Sequence, residues 1–178
     1  MSHYRTRFKS PWDSLLIIMT TGIVGLLIGV ALFTGILWVM LLNLGIVGGC
    51  AALGVYGYSI QEGELQIVRL GWSNNIPLSG IRRVENKPIA MMGSIRTFGI
   101  GGVFGYIGKF KNSILNNYTA YVTHRKKTVL IVTDDDQKVL ISPDDPNEFI
   151  KSLKVYIKKE THGKDEIDKI FREAGLND

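Results

Sequence analysis

The sequence predicts an α+β protein in which two apolar helices precede a bent antiparallel sheet or partial barrel that is capped by one C-terminal helix. Three observations support this fold class. No Asp, Glu, Lys, Arg or His lies among the 48 residues between Asp13 and Glu62. Short β-branched runs separated by turn residues follow this span, and an amphipathic helical pattern comes after them. The uncharged span excludes a simple soluble chain and a disordered chain.

The uncharged span is long enough for two membrane crossings. As one helix it would extend roughly 72 Å, whereas a hydrocarbon core is about 30 Å thick. We therefore predict a first transmembrane helix near residues 15–33, a turn at 34–35 and a second helix near 36–58, with 43–45 as an alternative break. A cleaved signal peptide is disfavoured, because its apolar region covers only about 7–15 residues and a soluble chain follows it.

The charges that flank this span predict its orientation. Cations precede the first helix and follow the second, while the turn between them carries none; these cations are Arg5, Arg7 and Lys9, then Arg69, Arg82, Arg83 and Lys87. The positive-inside rule then predicts a multi-pass protein of the cell membrane with both termini in the cytoplasm. Aromatic residues expected at the membrane interface are Trp12, Trp38, Tyr56 and Tyr58.

Small and polar residues within the span indicate how the helices pack. Glycines at GxxxG spacing are Gly25 and Gly29, with Gly22 one turn earlier, and Gly45 and Gly49. Such spacing allows close helix contact, and we expect packing within the hairpin, with dimerisation between molecules as the alternative. The polar residues at depth are Asn43, Thr20 and Thr21. Because no ionisable residue accompanies them, interhelical hydrogen bonds are favoured over a transport pathway.

The remaining sequence predicts a sheet closed by a helix. A hairpin is expected over residues 60–70 with its turn at 62–64, then a strand over 76–84 that is irregular at 79–80, and strands at 118–123, 128–133 and 138–142. Asp145 as N-cap, Pro146 and Glu148 predict the start of the closing helix. The predicted organisation is a cytoplasmic segment 1–13, two transmembrane helices within 14–58, a sheet domain 59–159 and a charged tail 160–178, in which 164–178 could form a short helix.

Several motifs together resemble one known family. The motifs are YSIQEGELQIVRL, IPLSGIRRVE, FGIGGVFGYIGKF, the pair YTAYVT and VLIVT, and ISPDDPNEFIKSL. They are similar to those of bacterial pleckstrin-homology-like (PH-like) membrane proteins with two N-terminal transmembrane helices, and the resemblance covers residues 15–153. It implies a strongly bent, seven-stranded sheet or partial barrel capped by one helix. It implies no catalytic activity.

The glycine-rich segment 98–110 is the most distinctive part of this domain. Its glycines nearly form a GxGxxG nucleotide motif, but Phe104 interrupts the pattern, no helix follows, and no Lys-Ser/Thr pair stands at Lys109. We interpret the segment as a strand edge or loop that brings aromatic rings against the protein's own sheet, the membrane interface or a partner. Adjoining cations suit a loop at the level of lipid headgroups.

Charge provides the remaining indication of binding. Residues 62–160 contain 15 Lys and Arg against 10 Asp and Glu, a net charge of +5. A basic domain beside an anionic leaflet gains about 1 kcal/mol per well-placed cation. No nucleic-acid binding is expected, because no aromatic RNA-binding signature accompanies the charge. The candidate binding residues are Arg82, Arg83, Arg96, Phe98, Gly101, Phe104, Gly105, Tyr106, Lys109, Lys111, Arg125, Lys126 and Lys127.

Catalytic chemistry and bound cofactors are not expected. The single cysteine, Cys50, excludes a disulfide framework and a cysteine-based zinc site. Asp134–Asp136 is interpreted as a hairpin turn, and Ser142 as the approach to the helix, while the three histidines are scattered. The sequence therefore predicts a non-enzymatic, membrane-anchored binding or scaffold module for an unknown protein partner. The alternatives are an anionic-lipid module and an accessory subunit of a membrane enzyme or transporter, and a homo-oligomer could form through the hairpin glycines or the PH-like domain.

Overall fold

The structure, a computed structural model, describes residues 6–61 and 63–158 and begins with a helical hairpin. Helix α1 covers Ser14–Thr34 and helix α2 covers Leu37–Leu53. The Asp13 carboxylate caps α1 by accepting a hydrogen bond from the Leu16 N–H at 2.7 Å, as an N-cap does. Gly35 ends α1 with φ of 62°, so the predicted turn at 34–35 is confirmed and the alternative break at 43–45 is not used.

The second helix is shorter than predicted. It ends at Leu53 instead of residue 58, because Gly57 and the residues after it form a strand. Its 17 residues extend about 26 Å, against about 31 Å for the 21 residues of α1. Among the described residues, one helix, α1, is long and apolar enough to cross a membrane, while α2 is apolar but shorter.

Two sheets follow the hairpin, and one strand of the first sheet is formed by residues that precede the hairpin. The first sheet has the order β1 (Arg7–Lys9), β2 (Gly57–Gln61), β3 (Glu64–Val68) and β4 (Ser73–Pro77). The second sheet contains β5 (Ile81–Asn86), β6 (Ile95–Gly101), β7 (Tyr106–Asn112), β8 (Asn116–Val122), β9 (Val129–Thr133) and β10 (Lys138–Ile141), in the order β5-β9-β10-β8-β7-β6. All pairs are antiparallel except β8 with β10.

The observed strands differ from the predicted sheet in three ways. The described residues contain ten strands, where the resemblance implies seven. The single strand predicted over 76–84 is wrong, since a 3-10 turn at Leu78–Gly80 divides it into β4 and β5, which belong to different sheets. Strand β1 comes from residues that precede α1, and β2 begins at Gly57, inside the range predicted to be helical.

The pairing of β1 with β2 determines how the hairpin joins the domain. Lys9, four residues before Asp13, lies opposite Gly57, which follows α2. Both ends of the hairpin therefore meet at one end of the sheets. We call this the hairpin end of the domain; it also contains the last residues of β3 and β8. The opposite end, with the turn at 134–137, is the far end.

Two apolar cores lie on opposite faces of the second sheet. The first core fills the space between the two sheets and α3, which is helical from residue 146 through 158, and it includes Tyr58, Ile67, Phe149 and Leu153. Asp145 accepts hydrogen bonds from the N–H groups of Asn147 and Glu148, so the predicted helix start is confirmed. The predicted tail 160–178 lies outside the described residues.

The second core brings the first helix into the domain. Leu16, in the first turn of α1, is fully buried among side chains of β7, β8, β9 and β10. Ala90 and Met91, from the segment between β5 and β6, cover the same face. The domain therefore packs directly on the start of α1 and is not merely tethered to it.

The glycines of the hairpin do not pack against its other helix. A Cβ atom added at Gly22, Gly25, Gly29, Gly45 or Gly49 would meet no atom within 4 Å. The prediction that they mediate packing within the hairpin is therefore wrong. The expected interhelical hydrogen bond is present at Asn43, whose Nδ2 donates to the Leu27 carbonyl at 3.0 Å. Thr20 instead bonds to the domain.

Candidate functional site

The predicted binding residues do not form one surface. Gly101, Phe104, Gly105, Tyr106, Arg125, Lys126 and Lys127 lie at the hairpin end, whereas Arg82, Arg83, Arg96, Phe98, Lys109 and Lys111 are spread along β5, β6 and β7 towards the far end. Seven-residue strands such as β6 and β7 are about 20 Å long. Arg82 and Arg83 are therefore distant from the turn at Arg125–Lys127. The Arg96 side chain, in contrast, reaches back along β6, and its Cδ lies 3.3 Å from the place where a Gly101 Cβ would be.

The glycine-rich segment forms β6, a turn and β7, and its tightest contact is between two glycines. Gly99 and Gly108 face each other in the ladder, both with positive φ. A Cβ on Gly99 would lie 2.2 Å from the Ile107 carbonyl oxygen, and one on Gly108 would lie 2.2 Å from the Phe98 carbonyl oxygen. The two backbones approach so closely that no side chain fits between them. The fold itself therefore requires glycine at both positions.

The turn at 102–105 is held against the first helix. Phe104 has φ of 57°, unusual for a residue with a side chain, and its N–H donates to Thr20 Oγ1 at 3.1 Å. Its ring packs edge-on against Trp12, with centroids 5.8 Å apart. The aromatic contact predicted for this segment is therefore made with residues around the start of α1. Phe98, in contrast, is 75% exposed.

A second polar contact fixes the β8–β9 turn beside the same helix. The Asp13 carboxylate accepts from the Arg125 N–H and the Arg125 Nε, each at 3.1 Å. Burial raises the pKa of Asp13, but hydrogen bonds from Leu16 and Arg125 outweigh that effect and hold it below its ordinary value. The Arg125 guanidinium lies 5.5 Å from the Tyr106 ring, and burial raises the pKa of that phenol.

A buried hydroxyl network lies behind these contacts and was not predicted. Tyr58 Oη donates to the Tyr121 carbonyl at 2.7 Å and accepts from the Ser142 N–H at 3.0 Å. Ser142 Oγ accepts from the Thr123 N–H at 2.9 Å, and Thr123 Oγ1 donates to the Pro11 carbonyl at 2.7 Å. Tyr58 is 1% exposed, so its expected place at a membrane interface is wrong.

Arg69 also lies at the hairpin end, and the sequence-based prediction did not include it among the candidate binding residues. Its guanidinium carbon lies 4.9 Å from the centroid of the Tyr121 ring and 6.0 Å from that of Trp72. Burial lowers the pKa of this guanidinium below its ordinary value. Its Nε is buried without a hydrogen-bond partner. The sequence carried a signal, since Arg69 continues the inward-facing alternation of Leu65 and Ile67.

The cations of β5 and of Lys87, which follows it, are of a different kind, because each is paired with a carboxylate. Arg82 forms an ion pair with Asp136 at 2.5 Å, while Glu85 pairs with both Arg83 and Lys87. Burial raises the pKa of Glu85, but hydrogen bonds from Arg83 and Lys87, together with their charges, outweigh that effect and hold it below its ordinary value. An open cleft of about 510 Å³ lies beside these pairs. The Asp134–Asp136 turn is confirmed, with the Asp136 N–H donating to the Thr133 carbonyl.

The hairpin end combines cations, exposed aromatic rings and a rigid connection to an apolar helix. Such a surface can hold an anionic or interfacial ligand, whereas the hydroxyl groups of Tyr58, Ser142 and Thr123 are committed to bonds within the fold. Within residues 6–61 and 63–158, no three His, Cys, Asp or Glu side chains are grouped as metal ligands.

Comparison with known proteins agrees with the sheet and its closing helix. The family model described as Bacterial PH domain matches residues 56–157, from the first residues after α2 to the end of α3. Neither a search of curated proteins nor a search of solved structures found a match. The family match covers more than half of the chain, and the chain therefore belongs to the bacterial PH domain family.

Proposed function

We propose that this protein is a non-enzymatic, membrane-anchored binding or scaffold module, whose PH domain is held at the cytoplasmic face of the membrane by the helical hairpin. The pairing of β1 with β2 is the observation that carries the proposal. A domain closed by strands from both sides of an apolar hairpin cannot separate from it without losing sheet hydrogen bonds. The domain is thereby kept at a fixed place relative to the helices.

The dimensions of the hairpin are compatible with two crossings. Helix α1 matches the thickness of a hydrocarbon core, and the 17 residues of α2 equal the lower limit of about 17 for a transmembrane helix. The residues that join α2 to β2 add to its reach. Cations flank the hairpin on both sides, which favours cytoplasmic termini under the positive-inside rule.

The binding role follows from the family and from the composition of the hairpin end. PH-like domains act mainly by binding, and the polar groups that could otherwise suggest chemistry here serve the fold. Tyr58, Ser142 and Thr123 stabilise one another and fix the chain before α1. The exposed residues around them supply the surface for a partner.

Membrane fractionation tests the anchoring. The full chain should stay in the membrane pellet after carbonate extraction. A non-ionic detergent should release it from the same pellet, because an apolar hairpin is held there by the hydrocarbon of the membrane. A wild-type chain that carbonate releases would overturn the proposed anchoring. If the chain stays in the pellet, cross-linking of the membrane-bound chain would identify the protein partner.

Anionic-lipid binding is a second candidate function, favoured by one observation. The exposed turn Arg125–Lys127 lies beside Asp13, the residue that precedes α1, and would face the lipid headgroups if α1 crosses the membrane. In nanodiscs, Lys126→Gln with Lys127→Gln should weaken enrichment of phosphatidylglycerol around the protein, and high salt should do the same in the wild type. Enrichment that neither change affects would count against this candidate.

A further inference from the structure

Arg69 occupies a place where a cation is unusual. It follows β3 directly and continues the inward-facing positions Leu65 and Ile67, which are fully buried in the first core. Its side chain therefore points towards the space between the two sheets, at the hairpin end. Val68 lies opposite Gly57, so this position is a few residues from the end of α2.

The guanidinium of Arg69 has aromatic neighbours but no anionic one in the described residues. Tyr121 and Trp72 contact it through their rings, and no carboxylate of residues 6–61 and 63–158 forms an ion pair with it. Its Nε is enclosed without a hydrogen bond. By contrast, Arg125 is satisfied by Asp13, and Arg82 by Asp136. A partly buried guanidinium is costly when its Nε has no acceptor and no described carboxylate pairs with it, which indicates that an external anion completes the site.

The surroundings of Arg69 indicate the source of this anion. The β3–β4 turn exposes Leu70 and Trp72, which are 59% and 46% accessible, and Tyr56 is exposed where α2 joins β2. The Tyr56 N–H donates to the Val68 carbonyl, so these apolar side chains lie next to the helix end. Exposed Trp, Tyr and Leu at the end of an apolar helix are typical of the interface between hydrocarbon and headgroups. Phosphate groups occupy that level of a bilayer.

We propose that Arg69 binds the phosphate of an anionic phospholipid headgroup, with Leu70 and Trp72 packed against the adjoining glycerol and acyl region. The planar guanidinium matches two phosphate oxygens, and stacking on Tyr121 and Trp72 fixes its orientation before the lipid arrives. This inference rests on the proposed membrane anchoring. It adds a lipid site on the β3–β4 turn that is separate from the basic turn at 125–127.

Native mass spectrometry of the full chain in an uncharged detergent tests the site. The chain is titrated with phosphatidylglycerol, with phosphatidylcholine and with diacylglycerol, which has no phosphate. The wild type should bind them with decreasing affinity in that order. Arg69→Gln should weaken phosphatidylglycerol binding about tenfold, the effect of losing a charge-assisted hydrogen bond. Arg82→Gln, which removes the same charge from the far end, should bind like the wild type.

A second variant and a competition with inorganic phosphate complete the test. If thermal melting shows that Arg69→Gln does not fold, Arg69→Lys is tested in its place, because Lys keeps the charge but lacks the planar guanidinium that contacts two phosphate oxygens. Unchanged phosphatidylglycerol binding by a folded variant would overturn the proposal. Excess inorganic phosphate should not displace the lipid, and displacement would mean that the site takes free phosphate instead. If carbonate releases the wild type from membranes, the proposed function fails; if the anchored wild type shows no lipid preference, only this inference fails.

Discussion

The two ends of the domain carry similar numbers of cations but use them differently. At the far end, Arg82 and Arg83 are exposed, and they are paired with Asp136 of the β9–β10 turn and with Glu85 of the same strand, respectively. At the hairpin end, Arg69 and Arg125 lie over aromatic rings, and Arg125 is bonded to the residue that caps α1. Exposed ion pairs add little stability, whereas partly enclosed cations are sensitive to each missing partner.

This difference shows that net charge alone does not locate a binding surface. The 15 Lys and Arg residues of 62–160 include far-end cations that are already paired with carboxylates. The hairpin end is distinguished by its contacts with α1 and by exposed aromatic rings. Paired substitutions at the two ends, or inside and outside the domain, test whether this distinction holds.

The largest effect is expected within the β6–β7 ladder, where the backbones of Gly99 and Gly108 are in contact. Gly108→Ala would place a Cβ 2.2 Å from the Phe98 carbonyl oxygen, so the ladder must shift, at a cost of about 3 kcal/mol or more in unfolding free energy. Gly25→Ala in the hairpin meets nothing and should change stability by less than about 1 kcal/mol. Thermal melting of the full chain in detergent compares them, and equal melting temperatures would contradict the ladder geometry.

The buried hydroxyl network should give the next largest effect. Tyr58→Phe removes the donor to the Tyr121 carbonyl and the acceptor for the Ser142 N–H, which should cost about 1–3 kcal/mol. Tyr56→Phe removes only an exposed bond to the Ala51 carbonyl and should be nearly neutral. Denaturant unfolding of both variants measures the difference. A Tyr58→Phe chain as stable as Tyr56→Phe would show that the network does not hold the hairpin end together.

The contact between the glycine-rich turn and α1 should contribute a smaller amount. Thr20→Val keeps the side-chain shape but leaves the Phe104 N–H without its acceptor, at a cost of about 1 kcal/mol. Thr21→Val, one position along on the exposed side of the helix, is the matched control. Hydrogen exchange of the Phe104 amide should accelerate in the first variant only. Exchange that is equally slow in both would mean that Thr20 does not fix this turn.

The smallest effect is a pH dependence at the cap of α1. The pKa of Asp13 is lowered in the folded protein, so its charge stabilises the fold above the unfolded-state value near 3.8, and this stabilisation is lost as pH falls through the folded pKa. Asp13→Asn keeps a good cap but loses the charge paired with Arg125. It should therefore be destabilised by less than about 1 kcal/mol at neutral pH.

A matched carboxylate at the far end provides the control for this pH prediction. Asp136→Asn removes the partner of Arg82 in an exposed ion pair and should leave stability unchanged within a few tenths of a kcal/mol. The gap between wild type and Asp13→Asn should close as the pH is lowered towards 3. Equal gaps at neutral and acid pH would show that the Asp13 charge is not what stabilises the hairpin end.

The sequence predicted the parts of this fold that depend on local pattern. The turn at Gly35, the N-cap at Asp145, the Asp134–Asp136 turn and the family all followed from spacing or motif. Strand β1 did not, because three residues before an apolar span carry no strand signal until β2 is there to pair with them. Long-range pairing of this kind is invisible in a local pattern.

The sequence predicted which residue types the candidate site contains, but not where those residues lie. Basic and aromatic residues were identified correctly as abundant, but their division between two ends depends on strand direction and register. Glycine patterns were equally ambiguous: those in the hairpin are open, while Gly99 and Gly108 are in backbone contact. Arg69 shares its alternation with Leu65 and Ile67, yet its aromatic neighbours come from β8 and from the β3–β4 turn, and only the folded chain brings them together.

Cysteine accessibility in intact cells tests the central claim, that a hairpin anchors a cytoplasmic domain. In a Cys50→Ser background, Ile36→Cys at the tip of the hairpin and Asp135→Cys at the far end are treated with a membrane-impermeant maleimide. Position 36 should react in intact cells, and position 135 should react only after the membrane is opened. Labelling of position 135 in intact cells, or protection of position 36 until lysis, would contradict it.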